Sequence, residues 1–418
     1  MTNRRFTTCV LILFAAALSE TAFAQDAFRR VLTSSVRNVR TTQWMTTSRQ
    51  VTPDCPIKWS VRKVTLHGGK QEGSELIIVD NGRLQFVVVP TRGMGILSAQ
   101  LGDVRLGWNS PVKEVVHPKF INLQSRSGLG WLEGFNEWMC RCGLESNGQA
   151  GTDEFINNLG DKATMELTLH GKIANLPASH VEVVVDRSAP FRIHVRGRVD
   201  ERMFYGPKLE LETEISTEPG SNTFRISDVV TNRGAQPQEF EMLYHSNYGS
   251  PFLEEGSTFV GAAKRVTPFN SHAAKSVTDY QTYVGPTLGF IEQVYLLRLF
   301  GDENQRTTIM LQNSKQDRGI SMSWSLKQLP YLTIWKNTAA IKDGYVTGLE
   351  PGTNYPNNRS VERKFGRVPK LKPGSSQKMS IDFGIHVGAG KVKKVAESIR
   401  KIQGDRESQI DAQPDAPK

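Results

Sequence analysis

The chain has 418 residues, of which 38% are hydrophobic and 22% charged, and a formal net charge of +10. That balance supports a globular protein with a large core. The positive charge is dispersed, with no long Lys/Arg block and no nucleic-acid motif, which argues against a nucleic-acid partner.

The N-terminus opens with a basic "MTNRR", an apolar "FTTCVLILFAAAL" and the small-residue pattern Ala22-Phe23-Ala24. This order predicts a secretory signal peptide over 1–24 and an exported protein, secreted or periplasmic. The apolar run is too short to span a bilayer, and no later segment reaches the roughly 20 apolar residues of a spanning helix. Residues 25–60 are mixed in character and read as an N-terminal extension.

From there strand signals dominate. "SELIIVDNGRLQFVVVP" sets two β-branched runs around Asp80-Asn81-Gly82, a hairpin signature. "HVEVVVDRSAPFRIHVRGRVDE" and "KLELETEISTEPGSNTFRISDVVTNRG" alternate apolar and polar residues about turn sequences. Turn chemistry every 8–12 residues predicts an all-β sandwich or barrel, which we place as one domain over 61–390. Helical periodicity is scarce. One candidate covers 391–402, where Val392, Val395, Ile399 and Ile402 share a face. The polar tail after Gly404 reads as disordered, so 391–418 is expected to be a short helix and a loose tail.

Removing the signal peptide takes Cys9 with it and leaves Cys55, Cys140 and Cys142. Cys140 and Cys142 are too close in sequence to pair easily. Cys55 bridged to one of them and three unpaired thiols both remain open. Among eight histidines, His180, His194 and His386 lie in strand-like runs and His67 in a glycine turn. His170 in "LTLHGKIANLPA" and His245 in "LYHSNYGSP" differ, because each follows a strand and precedes turn residues, where functional groups gather. Glu350 sits before a Pro/Gly/Asn turn in "YVTGLEPGTNYPNNR", and Glu292 interrupts the apolar "FIEQVYLLRL". A carboxylate in an apolar strand is costly unless it is hydrogen-bonded or faces a cleft. Trp131, Phe135 and Trp138 read equally as an aromatic platform for a pyranose and as an ordinary core cluster, and Trp335 with Lys336 follows the same logic. Arg92, between a strand and a glycine turn, reads equally as a substrate contact or an ion pair. Arg359 is a further residue that can meet an acidic substituent.

Four of these stretches together resemble the aldose 1-epimerases (galactose mutarotases). "FRISDVVTNRGAQPQEFEMLYHSNYGSP" resembles the family segment in which a "VTN" strand and a glycine turn lead to "HSYFN". "GLEPGTNYP" resembles its "LETQ-x-YPD", "LHGKIAN" its "LHGG", and "IEQVYLL" the acidic residue before "HNFVL". A closer resemblance is to a divergent mutarotase-like bacterial family of uncharacterised function, carried by "VVPTRGMGIL", "GWLEGFNEWMCRCGLESNG", "LYHSNYGSP", "PYLTIWK" and "GLEPGTNYP". The chain departs from the mutarotase pattern in "SNY" after the His and in Pro351 after the Glu.

The resemblance implies an all-β, galactose mutarotase-like β-supersandwich. It also implies an isomerase that interconverts sugar anomers, with His245 as general acid and Glu350 as general base. His170, Glu292, Arg92, Asn247, Trp335 and Lys336 are the expected substrate-binding residues, and Ser246 and Tyr248 the supporting neighbours of the acid. No cofactor and no metal is expected, since one Glu and one His suffice for the proton transfers. Two alternatives use the same scaffold: a lyase or hydrolase of acidic sugars, and a carbohydrate-binding protein without catalysis.

Overall fold

The computed structural model describes residues 27–415. The expected signal peptide lies outside these residues. Two large sheets carry the fold, one of ten strands and one of thirteen. The three sequence hairpins form as read: Glu75–Asp80 pairs with Leu84–Val89, His180–Asp186 with Ile193–Arg202, and Lys208–Thr217 with Thr223–Asn232, all antiparallel.

The core lies between the sheets. Val195, Leu211, Ile226 and Phe383 from the ten-stranded sheet belong to one buried cluster with Phe86, Ile96, Trp138 and Ile334 from the thirteen-stranded side. Burying each such side chain contributes about 1.5–3 kcal/mol. A polar link crosses this core. Arg141, on Met139–Leu144, forms a buried pair with Asp228 on Thr223–Asn232, with Nη2 3.0 Å from Oδ1. The Tyr244 hydroxyl donates to the same carboxylate at 2.9 Å, and Arg141 also donates to the carbonyl of Met94 at 2.8 Å and to Thr213 at 2.7 Å. The ion pair therefore ties the strands of the functional sheet to the opposite sheet.

Both ends of the described chain differ from the sequence reading. The supposed N-terminal extension is built into the sandwich: Ala27–Ser34 pairs with His180–Asp186 in one sheet, and Trp44–Thr47 with Ser60–Thr65 in the other. The helix Ala389–Gln403 buries Val392, Ala396 and Ile399 against Ala262 and Met310. Up to residue 415 the tail beyond it packs onto the fold. Gln409–Ile410 adds a parallel strand beside Arg265 and Val266, and Asp411 accepts hydrogen bonds from Arg265 at 2.6 Å and Thr267 at 2.5 Å. Its polar composition is matched by opposite charge on the strand it meets, which composition alone does not reveal. Cys55, Cys140 and Cys142 are all unpaired thiols.

Candidate active site

The candidate site sits on the face of the thirteen-stranded sheet that points away from the ten-stranded one. Strand order there runs Gln293–Leu299, Tyr331–Asn337, Val346–Gly352, Glu241–Tyr248, Met139–Leu144. Side chains alternate faces along each strand. On Glu241–Tyr248, Tyr244 turns inward to Asp228, and Ser246 and Tyr248 turn inward to Met322. His245 takes the other face. The register that pairs Ser246 with Leu349 and Asn247 with Gly348 sets His245 beside Glu350, and Glu350 pairs in turn with Thr333. One transverse row of the sheet thus presents His245, Glu350 and Thr333 together.

These three residues line a cavity of about 600 Å³. Trp131, Phe135 and Trp335 wall it, with the His245 ring 5.4 Å from Phe135 and 5.5 Å from Trp335, centroid to centroid. Nε2 of His245 lies 3.2 Å from Oε1 of Glu350. That separation is within ion-pair reach, but the alignment is not that of a hydrogen bond: Oε1 of Glu350 and Nδ1 of His245 are buried without hydrogen-bond partners. Burial, reinforced by the Glu292 carboxylate, holds the Glu350 carboxyl well above its ordinary range. Burial and the neighbouring His170 push His245 well below the usual histidine value, while the Asn247 side chain opposes them. Burial thus disfavours the charged form of each group and favours a proton on Glu350 over one on His245.

His170 completes the floor at a ring separation of 5.1 Å from His245. It occupies a left-handed backbone position, φ +60°, at the turn after Lys162–Leu167. Its Nδ1–H donates to the carbonyl of Asn147 at 2.9 Å. Burial lowers its pKa to about 4, against the pull of that hydrogen bond, so at neutral pH its remaining nitrogen, Nε2, is an acceptor. The tautomer fixed by Asn147 suits it to receive a sugar hydroxyl. Glu292 stands exposed at the rim just before Gln293–Leu299, and accepts the indole N–H of Trp335 at 2.8 Å.

The family model described as a domain of unknown function, DUF4432, matches residues 71–385. The chain belongs to the DUF4432 family. A crystal structure from Klebsiella pneumoniae subsp. pneumoniae, named as a candidate aldose 1-epimerase, is 41% identical to it. The match covers 94% of this chain and all of that one, with a TM-score of 0.88. A galactose mutarotase-like protein from Clostridium acetobutylicum is 15% identical, with a TM-score of 0.52 over 83% of this chain and 99% of that one. The latter likeness is one of fold: the DUF4432 chain is a galactose mutarotase-like β-sandwich. No curated protein matches the sequence.

Several residues expected to bind substrate stand elsewhere in this DUF4432 protein. Lys336 neighbours Trp335 and so points the opposite way. Its ammonium donates to the carbonyls of Asp279 at 3.1 Å and Thr282 at 2.8 Å and lies over the Tyr283 ring. Arg92 is fully buried, paired with Glu137 and donating to the carbonyl of Val116 at 3.1 Å. Of its two readings, the ion pair is the one realised. Asn247 shares the outward face of His245, but its amide donates to the carbonyls of Glu137 and His245, so it supports the acid rather than lining the cavity. Trp138 packs in the inter-sheet core against Phe224 and Phe383. Arg359 is held by Asp153 at 2.7 Å and by the carbonyl of Glu145 at 2.9 Å.

Thr333, Gly348 and Arg126 escaped the sequence reading. Thr333 is two residues before Trp335 and so on its face, a spacing that points to it. Its hydroxyl is buried without a partner. Gly348 leaves space that a side chain would take from the pair. A methyl there would overlap Oε1 of Glu350 and approach Trp335 to 3.2 Å and His245 to 3.3 Å.

Proposed function

We propose that the protein is a carbohydrate-binding, aldose 1-epimerase-like isomerase, exported from the cell, with Glu350 and His245 as its acid–base pair. The observation that carries this reading is their adjacency, 3.2 Å, on the floor of an aromatic-walled cavity large enough for a sugar.

The chemistry follows from the proton the pair already holds. Moving it from Glu350 to His245 gives a carboxylate beside an imidazolium, with no proton taken from solvent. The carboxylate removes the proton from the C1 hydroxyl as His245 protonates the ring oxygen, and the C1–O5 bond breaks. The aldehyde turns about C1–C2, and the reverse steps reclose the ring on the other face. Ring opening returns both side chains to the neutral forms that burial favours. Each proton transfer contributes on the order of 10²–10⁴ in rate. Trp131, Phe135 and Trp335 offer apolar faces to the pyranose, and His170 Nε2 and Glu292 accept its hydroxyls.

The test is one-dimensional NMR exchange between α and β anomers across hexoses, pentoses and uronic acids. Catalysed exchange in the wild type that disappears in Glu350→Gln supports the assignment. Binding without exchange for every sugar removes the isomerase reading.

A further inference from the structure

We propose that the sugar taken by this cavity carries an anionic group, a hexuronate carboxylate, and that Arg126 is the residue that reads it. The proposal rests on the carbohydrate site described above and concerns its selectivity.

Among the described residues, Arg126 is the one Lys or Arg that lines the cavity. Arg92, Lys336 and Arg359 are engaged elsewhere, with Glu137, backbone carbonyls and Asp153 respectively. The Arg126 side chain is exposed at the mouth and, among the described residues, makes no ion pair and no hydrogen bond.

Its backbone is held in an unfavourable conformation. Arg126 and Ser127 are consecutive left-handed residues, at φ +51° and +58°, followed by Gly128 at φ +90°. A non-glycine residue so placed brings its Cβ close to the following carbonyl oxygen and is disfavoured. The surroundings enforce it. Leu129 N–H donates to Ser125 at 2.8 Å, and Leu169 N–H donates to Gly128 at 2.9 Å. A Cβ on Gly128 would reach Ala150 at 3.0 Å, so the segment lies tightly on its neighbours. Strain that is overdetermined in this way gathers at ligand clamps. The bond from Leu169 anchors Gly128, two residues after Arg126, to the neighbour of His170, which itself lies over Met139–Leu144 through the bond from Gly143 N–H to His170 O at 3.1 Å. Glu292 stands at the far strand of the same floor.

The cavity is therefore polarised, cation on the His170 side and carboxylate on the Trp335 side. An entering anion meets the Glu292 carboxylate at one side of the mouth and the free Arg126 guanidinium at the other, while burial disfavours charge on Glu350. A guanidinium recognises a carboxylate through two parallel N–H bonds, while Glu292 accepts hydroxyls at the other end of the ring.

The test is isothermal titration of glucuronate and galacturonate against glucose and galactose, with wild type, Arg126→Asn and Arg126→Lys. Asn is chosen because it tolerates a left-handed backbone. We expect the wild type to bind a hexuronate at least tenfold more tightly than its neutral counterpart. We expect that ratio to fall near one in Arg126→Asn, to be partly kept in Arg126→Lys, and to shrink as salt rises. Equal wild-type affinity for acid and neutral sugar, absence of hexuronate binding, or a preference that survives in Arg126→Asn each overturns the proposal. Anomer exchange, measured separately by NMR, distinguishes the two ideas: selective hexuronate binding without exchange removes the isomerase reading and leaves this one standing.

Discussion

Gly348 and Glu350 lie two residues apart on one face of the strand Val346–Gly352, and the missing side chain of the first opens the space in which the carboxyl of the second meets His245. Gly348→Ala adds one methyl to a strand position with an ordinary backbone. We expect wild-type-like thermal unfolding and at least a 100-fold loss of kcat/KM for anomer exchange, since displacing a catalytic group by about 1 Å can cost that much. A fully active Gly348→Ala would mean that the pair does not need its observed spacing.

The pH profile of kcat/KM reports the free pair, which titrates as a unit. The reactive form carries one proton. It is lost to a second protonation below the lowered value of His245, and to deprotonation above the raised value of Glu350. The acid limit therefore lies below the ordinary histidine value of about 6.5, and the alkaline limit above the ordinary glutamate value of about 4.3. Between pH 6 and 7.5 the rate should stay nearly flat. An unperturbed His acid would lose about tenfold by pH 7.5, and observing that loss would refute the burial argument.

Much of this was legible in sequence, and the failures share a cause. Turn residues and alternation marked the three hairpins, and the runs around His245, Glu350 and His170 led to groups that the fold does bring together. Alternation also says that Trp335 and Lys336 face opposite ways, yet it does not say which face meets the second sheet, and Lys336 proved to be inside. Arg92 and Arg359 look unattached in sequence because their carboxylates are far along the chain. Glu137 is 45 residues from Arg92, and Asp153 is 206 residues from Arg359. Arg126 sits in a connection without periodicity, so only its tertiary anchoring places it at the cavity mouth.

The Arg141–Asp228 pair makes a prediction about the scaffold. Both side chains are wholly buried, and the neighbouring aspartate supports the charge of Arg141 against its desolvation. Asp228→Asn keeps the shape and leaves the guanidinium uncompensated. Removing one partner of a buried pair costs about 3–5 kcal/mol. Urea unfolding should show a loss of that size, and a change under about 1 kcal/mol would show that the surrounding carbonyls, not Asp228, hold the arginine.

Glu241 predicts a stability that falls as pH rises. It lies buried behind His170, accepting the Asn147 N–H at 2.9 Å and the Asn354 amide at 2.7 Å. Burial raises its pKa to about 8, while the bond from Asn147 and the charge of Arg359 oppose the shift. In the unfolded chain the same carboxyl ionises near its ordinary value of about 4.3. Between those values the folded state holds a proton that the unfolded state has released, so stability declines with pH, by at most about 1.4 kcal/mol per pH unit from this group. The contribution is intact below pH 4.3 and gone above about pH 8. Glu241→Gln removes the titration. Measured by urea unfolding at pH 5 and pH 8, the variant should gain stability relative to wild type as pH rises. Parallel pH dependences in the two proteins would show that Glu241 is already ionised in the folded state. It would then hold Asn147, and through it His170, as a carboxylate.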